Sequence, residues 1–214
     1  MVCLSYRGYW TSRGRPSEKG INLDAQAGLE YVQRLHNEQE QPKSADDDPK
    51  PSPVLVLWGQ SVGSGVATNM AAWDKFPPAM RLNGLVLETA FTSIKDMLGA
   101  LYPSQWTPYR YLWPFLRNHL DSLGNLDKIA QLGRGNGGPP RITLVEAGRD
   151  ELVPADHGAQ LERRGREVGL TVERKIIHGT FHNDVMFRPE GRKAVADAIE
   201  AAVATSRDGT KNGP

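Results

Sequence analysis

Two rhythms of apolar positions run along this chain. Short apolar runs at residues 54–58, 82–87, 141–146 and 171–177 have the length and β-branched content of strands, and the first two are apolar enough to be buried on both faces. Residues 1–6 also read as a strand, followed by a turn-rich polar segment over 7–20. Between the strands the apolar spacing becomes helical. Asn22 or Asp24 is placed to cap a helix with the stripe Ala25, Gly28, Leu29, Val32 and Leu35 or His36. Gly65, Ala67, Ala71 and Ala72 mark a second helix, and Ile94, Met97 and Leu98 a third, capped by Thr92 or Ser93. A charged helix over 159–168 and an amphipathic closing helix over 190–204 complete the pattern. Strands that alternate with helices predict an α/β domain: a mostly parallel sheet covered by helices on both faces.

Other stretches break these rhythms. Residues 37–53 collapse to Glu, Gln, Lys, Ser, Asp and Pro and read as a disordered insertion. Its run Asp46-Asp47-Asp48 is three adjacent acids in a flexible loop, which point in different directions and do not make a metal site. Phe76-Pro77-Pro78 is a break, 133–140 a loop and 206–214 a polar tail. Residues 99–122 crowd Tyr102, Trp106, Tyr109, Tyr111, Trp113 and Phe115 among prolines, and read as a small aromatic lid rather than as core. The domain therefore spans residues 1–205.

Length and composition narrow the class. The 214 residues suit one good-sized core, and 39% hydrophobic with 24% charged content is ordinary for a globular protein. A net charge of +1 gives no reason to expect nucleic acid as a partner. The single cysteine, Cys3, excludes an internal disulfide and reads as a buried, inert thiol in the first strand. No apolar stretch approaches the roughly 20 residues that span a bilayer, and the start lacks the pattern of a signal peptide, so the chain as written reads as soluble with no visible address. No motif calls for a cofactor or a metal.

The chemistry is concentrated at Gly59-Gln60-Ser61-Val62-Gly63, between a buried strand and a small-residue helix. A serine on so sharp a strand-to-helix turn is forced into a strained backbone. The residues two positions either side must be small, or their Cβ atoms would collide with the facing strand and helix. Such a nucleophile elbow exposes the Ser61 hydroxyl at the carboxyl edge of the sheet, where parallel sheets place their sites. A serine hydroxyl needs a base, and a base imidazole needs a carboxylate on its other nitrogen. His182 and Asp150 fall just past two later strands, in the order Ser, Asp, His of α/β-hydrolases. His178 is the rival base; Glu88, Asp156 and Asp184 are rival acids, Glu88 the strongest because some hydrolases take their acid from the strand after the nucleophile helix.

The chain also resembles a known group, the Bem-forty-six-type (abhydrolase-domain) branch of the serine α/β-hydrolases. The matching blocks are Ser5-Tyr6-Arg7-Gly8-Tyr9, Gly14 with Pro16-Ser17-Glu18-Lys19-Gly20, Asp24-Ala25-Gln26-Ala27, the elbow, Glu88-Thr89-Ala90-Phe91-Thr92-Ser93-Ile94, Gly148-Arg149-Asp150-Glu151-Leu152-Val153-Pro154 and Gly179-Thr180-Phe181-His182-Asn183-Asp184. The resemblance implies nucleophile Ser61, acid Asp150 and base His182, one oxyanion donor from the Val62 backbone N–H, and hydrolysis of an ester, thioester or amide. It further implies a small-molecule or acyl-lipid substrate and relatives anchored to internal membranes by an N-terminal apolar segment.

Three departures accompany the resemblance. Trp10 stands where the family has glycine, the 37–53 insertion is longer than the family's connection, and the match begins at the family's fourth strand. The anchor, the first three strands and the loop with the second oxyanion donor do not occur in these residues, which reads as a gene model truncated at an internal methionine. The third strand belongs between residues 2–6 and 54–58, which would then expose unpaired backbone or close on each other. Three functions follow: a serine hydrolase of acyl esters or thioesters, an impaired fragment or pseudo-hydrolase scaffold, and a serine peptidase.

Overall fold

The computed structural model describes residues 1–39, 53–73, 76–77, 80–102, 113–134 and 138–211. Much of the 37–53 insertion, including Asp46-Asp47-Asp48, and residues 103–112 of the aromatic segment, including Trp106, Tyr109 and Tyr111, lie outside the described residues.

Four strands, β1 (Leu55–Gln60), β2 (Leu82–Glu88), β3 (Arg141–Ala147) and β4 (Val172–Ile177), form one sheet in the order β1-β2-β3-β4. All three pairings are parallel, as the alternation of strand and helix predicts. The helices are α1 (Glu18–Gln39), α2 (Val62–Ala71), α3 (Ile94–Leu101), α4 (Ser122–Gly133), α5 (Ala155–Glu167) and α6 (Pro189–Lys211).

Side-chain alternation along the strands divides the core into two faces. Leu85, Leu87, Ile142 and Leu144 meet Ala67 and Ala71 of α2, Leu126 and Ile129 of α4, and Leu161 of α5. Val86, Val145 and Ala147 point the other way, onto Ala194, Val195 and Ala198 of α6. Helix α1 lies one layer further out: its Ile21, Ala25 and Leu29 pack on Val66 and Met70 of α2. Thus α2, which starts at the elbow, is held between the sheet and α1.

The structure departs from the sequence reading at several element ends. Residues 1–6 lie outside the sheet, and Cys3 is exposed rather than buried. Pairing supplies the stability of an extended apolar segment, and none of the sheet's strands pairs with this one. For the same reason β1, with an apolar sequence suited to burial on both faces, is only half buried, and Trp58 is 39% exposed. Helix α1 starts a turn earlier than Asn22: the Ser17 hydroxyl accepts the Gly20 amide at 3.1 Å, and Asp24 instead binds Arg7. Helix α4 is not among the predicted elements; Asp121 caps it by accepting the Gly124 amide. Helix α6 runs on to Lys211, through residues read as tail.

Candidate active site

Ser61 follows directly on β1 and precedes the first residue of α2, with φ 50 and ψ −117. A non-glycine residue at positive φ carries strain that its surroundings must hold. Here the Ser61 amide donates to the Glu88 carbonyl at 2.9 Å, and the Ser61 carbonyl accepts the Ser64 amide at 2.9 Å and the Ser64 hydroxyl at 2.6 Å. A Cβ on Gly59 would fall on the carbonyl of Gly63, which accounts for the first elbow glycine. The second differs from expectation. A Cβ on Gly63 would meet nothing within 4 Å among the described residues, because that side of the turn is open.

Asp150 and His182 come together through the loops that follow the neighbouring strands β3 and β4. Gly148 allows the approach, since a Cβ there would lie 2.9 Å from the Ile177 carbonyl oxygen and 3.0 Å from the His178 Cα. The Gly148 amide then donates to the Ile177 carbonyl at 2.9 Å, and the Arg149 amide to the Thr180 carbonyl at 2.8 Å. With the loops stitched together, the Asp150 carboxylate lies 3.0 and 2.9 Å from His182 Nδ1. The two side chains are 9% and 3% exposed, so they meet in a water-poor setting. Asp150 Oδ1 also accepts the amides of Leu152 and Val153, which fixes the carboxylate.

The rival residues lie elsewhere. His178 is exposed. Asp156 takes the Gln160 amide group, and Asp184 closes its own turn on the Phe181 amide. Glu88 is buried and accepts Trp58 Nε1 at 3.1 Å and Gln60 Nε2 at 3.2 Å. Burial pushes the Glu88 carboxyl above its ordinary range, while the Trp58 hydrogen bond and the charge on His182 pull it back.

Two participants escaped the sequence reading. Glu151 accepts the His182 backbone amide at 3.0 Å, so consecutive acids hold the histidine by ring and by backbone. Gln60 reaches the His182 carbonyl at 3.5 Å, and so links the elbow to the histidine turn. Both lie within blocks already singled out, where spacing alone does not reveal them. No hydrogen bond joins the Ser61 hydroxyl to His182 among the described residues. Among those residues there is also no group of three or more His, Cys, Asp or Glu side chains able to hold a metal, and no helix long and apolar enough to cross a membrane.

No protein-family model matches the chain. Protein bem46 of Schizosaccharomyces pombe is 38% identical over 151 residues, which cover 71% of this chain and 42% of bem46. Lysophosphatidylserine lipase ABHD12 of Danio rerio is 32% identical over 165 residues, covering 75% of this chain and 38% of that protein. The chain belongs with the Bem46 and ABHD12 abhydrolase-domain proteins. The fold agrees: the esterase Pf2001 of Pyrococcus furiosus superposes with a TM-score of 0.60 at 17% identity, over 92% of this chain and 68% of the esterase. A carboxyl esterase of Bacillus coagulans gives 0.58 at 14% identity, over 92% and 76%. The sheet and helices described above are thus part of an α/β-hydrolase fold. The chain spans about half the length of the curated relatives it matches.

Proposed function

We propose that this chain carries the nucleophile, acid and base of a serine hydrolase that cleaves an acyl ester or thioester through a covalent acyl-enzyme. In this reading the Ser61 oxygen attacks the acyl carbonyl while His182 Nε2 takes its proton. Asp150 holds the Nδ1–H and stabilises the imidazolium as it forms. The oxyanion develops against the Val62 N–H, among the unpaired donors that begin α2. The tetrahedral species collapses as His182 passes its proton to the leaving alcohol or thiol, and water then releases the acyl group by the same steps. The observation that carries this reading is the nearly buried Asp150–His182 pair, 2.9 Å apart, on the loops beside a strained serine. The name of the zebrafish relative makes a lysophospholipid ester the first substrate to try.

A second reading, an impaired scaffold, is favoured by one observation: β1 lies at the edge of the sheet with Trp58 39% exposed, beside the elbow itself. Val62 is one oxyanion donor in the proposed mechanism, and loss of one such donor costs about 10²–10³ in rate. A fluorophosphonate probe separates the readings. The proposal expects labelling that disappears in Ser61→Ala and His182→Ala. Well-folded protein that takes up no label at any pH from 6 to 9 would be the scaffold.

A further inference from the structure

Glu88 has no part in the steps above, yet contacts from three directions converge on it. It ends β2 and is 1% exposed. Its backbone carbonyl holds the Ser61 amide at 2.9 Å. Its two carboxylate oxygens accept from Trp58 at 3.1 Å and from Gln60 at 3.2 Å. The same Gln60 amide group continues to the His182 carbonyl at 3.5 Å. Gln60 faces Glu88 in the strand register, so Ser61 and Thr89 follow side by side. Thr89 also has a positive φ, 45, and its buried hydroxyl has no partner among the described residues. A β-branched residue in that region and an orphaned hydroxyl are both unfavourable. Two neighbouring strained residues thus flank one buried carboxyl group.

A buried carboxylate with two neutral donors is a poor choice for packing alone. An apolar residue would fill the space without the desolvation cost, but it could not accept from Gln60. We infer that Glu88 is a positioning residue of the hydrolase site, which ties the Ser61 elbow to the His182 turn through Gln60. The inference rests on the reading of Ser61 as nucleophile. The groups facing the carboxyl are Trp58 and Gln60 from β1 and the apolar Val145 from β3, which is its register partner. His182 acts on it from the loop after β4, with Asp150 bound to the Nδ1 of that histidine. Burial raises the Glu88 pKa, against the Trp58 hydrogen bond and the charge on His182.

The test uses Glu88→Gln, which keeps the size and an acceptor oxygen but removes the charge. Fluorophosphonate labelling of Ser61 is expected to slow by about 10–100-fold, the scale on which misplaced reacting groups lose rate. The part of the pH–rate profile that follows Glu88 ionisation should be lost as well. A second readout does not depend on Ser61 reactivity: the downfield proton resonance of His182 Nδ1–H should shift or broaden in Glu88→Gln while the protein stays folded. Should Glu88→Gln fail to fold, Gln60→Ala leaves the carboxyl in place and is expected to reproduce both effects. Labelling within twofold of the parent, with the same pH profile and an unmoved His182 resonance, would overturn the inference, as would a silent Gln60→Ala. A parent protein that never labels but whose His182 resonance moves in the variant would defeat the nucleophile reading and leave the positioning role standing.

Discussion

A side chain on Gly59 would occupy the space of the Gly63 carbonyl. Backbone on both sides leaves nothing to rotate out of the way, so Gly59→Ala must open the turn that strains Ser61. The expected cost is about 3 kcal/mol or more, at the upper end for overpacking, read from the urea midpoint. Gly63→Ala is the control. It lies in the first turn of α2 with open space beside it, so alanine should be neutral or stabilise by about 0.5–1 kcal/mol.

Asp150 has two duties that substitution can separate. It holds His182 Nδ1, and its Oδ1 accepts the amides of Leu152 and Val153. Asp150→Asn keeps an acceptor for the loop but offers the histidine the wrong partner. Labelling of Ser61 should fall about 10³–10⁴-fold with a nearly unchanged unfolding midpoint. Asp150→Ala removes both duties and should cost a further 1–2 kcal/mol or about that, from the two stranded amides. Equal stability of the two variants would count against the loop role.

The parallel sheet and the meeting of Asp150 with His182 were legible in the sequence because both follow from local patterns. An apolar run, a glycine two residues before a serine, and acids and histidines just past strand ends can be read without knowing what packs on them. The misses depended on partners. Residues 1–6 have the residues of a strand but pair with none among the described residues, and they lie outside the sheet. Helix α4 is hidden in the sequence because its cap, Asp121, directly follows an aromatic and proline-rich stretch, and its stripe Leu126, Ile129 and Ala130 is short. Glu88 was weighed as a rival acid, whereas Asp150 is the carboxylate at His182 Nδ1; the register that sets Glu88 against Gln60 exists only once β1 and β2 are paired.

Trp10, at a position where the family resemblance implies glycine, has φ 50 and is 93% exposed. That left-handed backbone is one glycine adopts at no steric cost, and the ring points to solvent. Trp10→Gly gives up no packing and relieves a left-handed conformation that costs roughly 1–2 kcal/mol for a side-chain-bearing residue. The added freedom of the unfolded chain offsets part of that. A net gain of about 0.5–1 kcal/mol is expected in urea denaturation, and a loss would show that the ring has a partner.

Arg7 and Asp24 tie the segment after residues 1–6 to α1. The Arg7 guanidinium contacts both Asp24 oxygens, at 2.6–3.0 Å, and the Arg7 amide donates to one of them at 2.9 Å. The Arg7 side-chain hydrogen bonds hold the Asp24 carboxyl below its ordinary range. For a depressed acid the stabilisation is complete above the unfolded value, near 3.9, and is lost as pH falls through the lower folded value. A double-mutant cycle of Arg7→Ala and Asp24→Ala should therefore show coupling at pH 7 that weakens in high salt and disappears in acid. Coupling that survives once Asp24 is protonated would have to come from packing.

Glu88 titrates in the opposite sense, because burial raises its folded pKa. Below the unfolded value, near 4.3, both states are protonated and the burial of an acid costs nothing extra. As pH rises past that value the unfolded chain releases its proton first. The folded chain keeps its own, so the free energy of unfolding falls. The fall ends once pH exceeds the raised folded value, and beyond it the cost is constant. Glutamine has no proton to lose at this site. The stability of Glu88→Gln relative to the parent should therefore climb between pH 4 and the raised value and level off above it, with urea midpoints at unit pH steps as the measurement. A relative stability that fell with pH would mean that Trp58, Gln60 and His182 together more than offset the desolvation of the ionised carboxylate. A climb in stability together with slower Ser61 labelling would show a residue kept for geometry at the expense of stability.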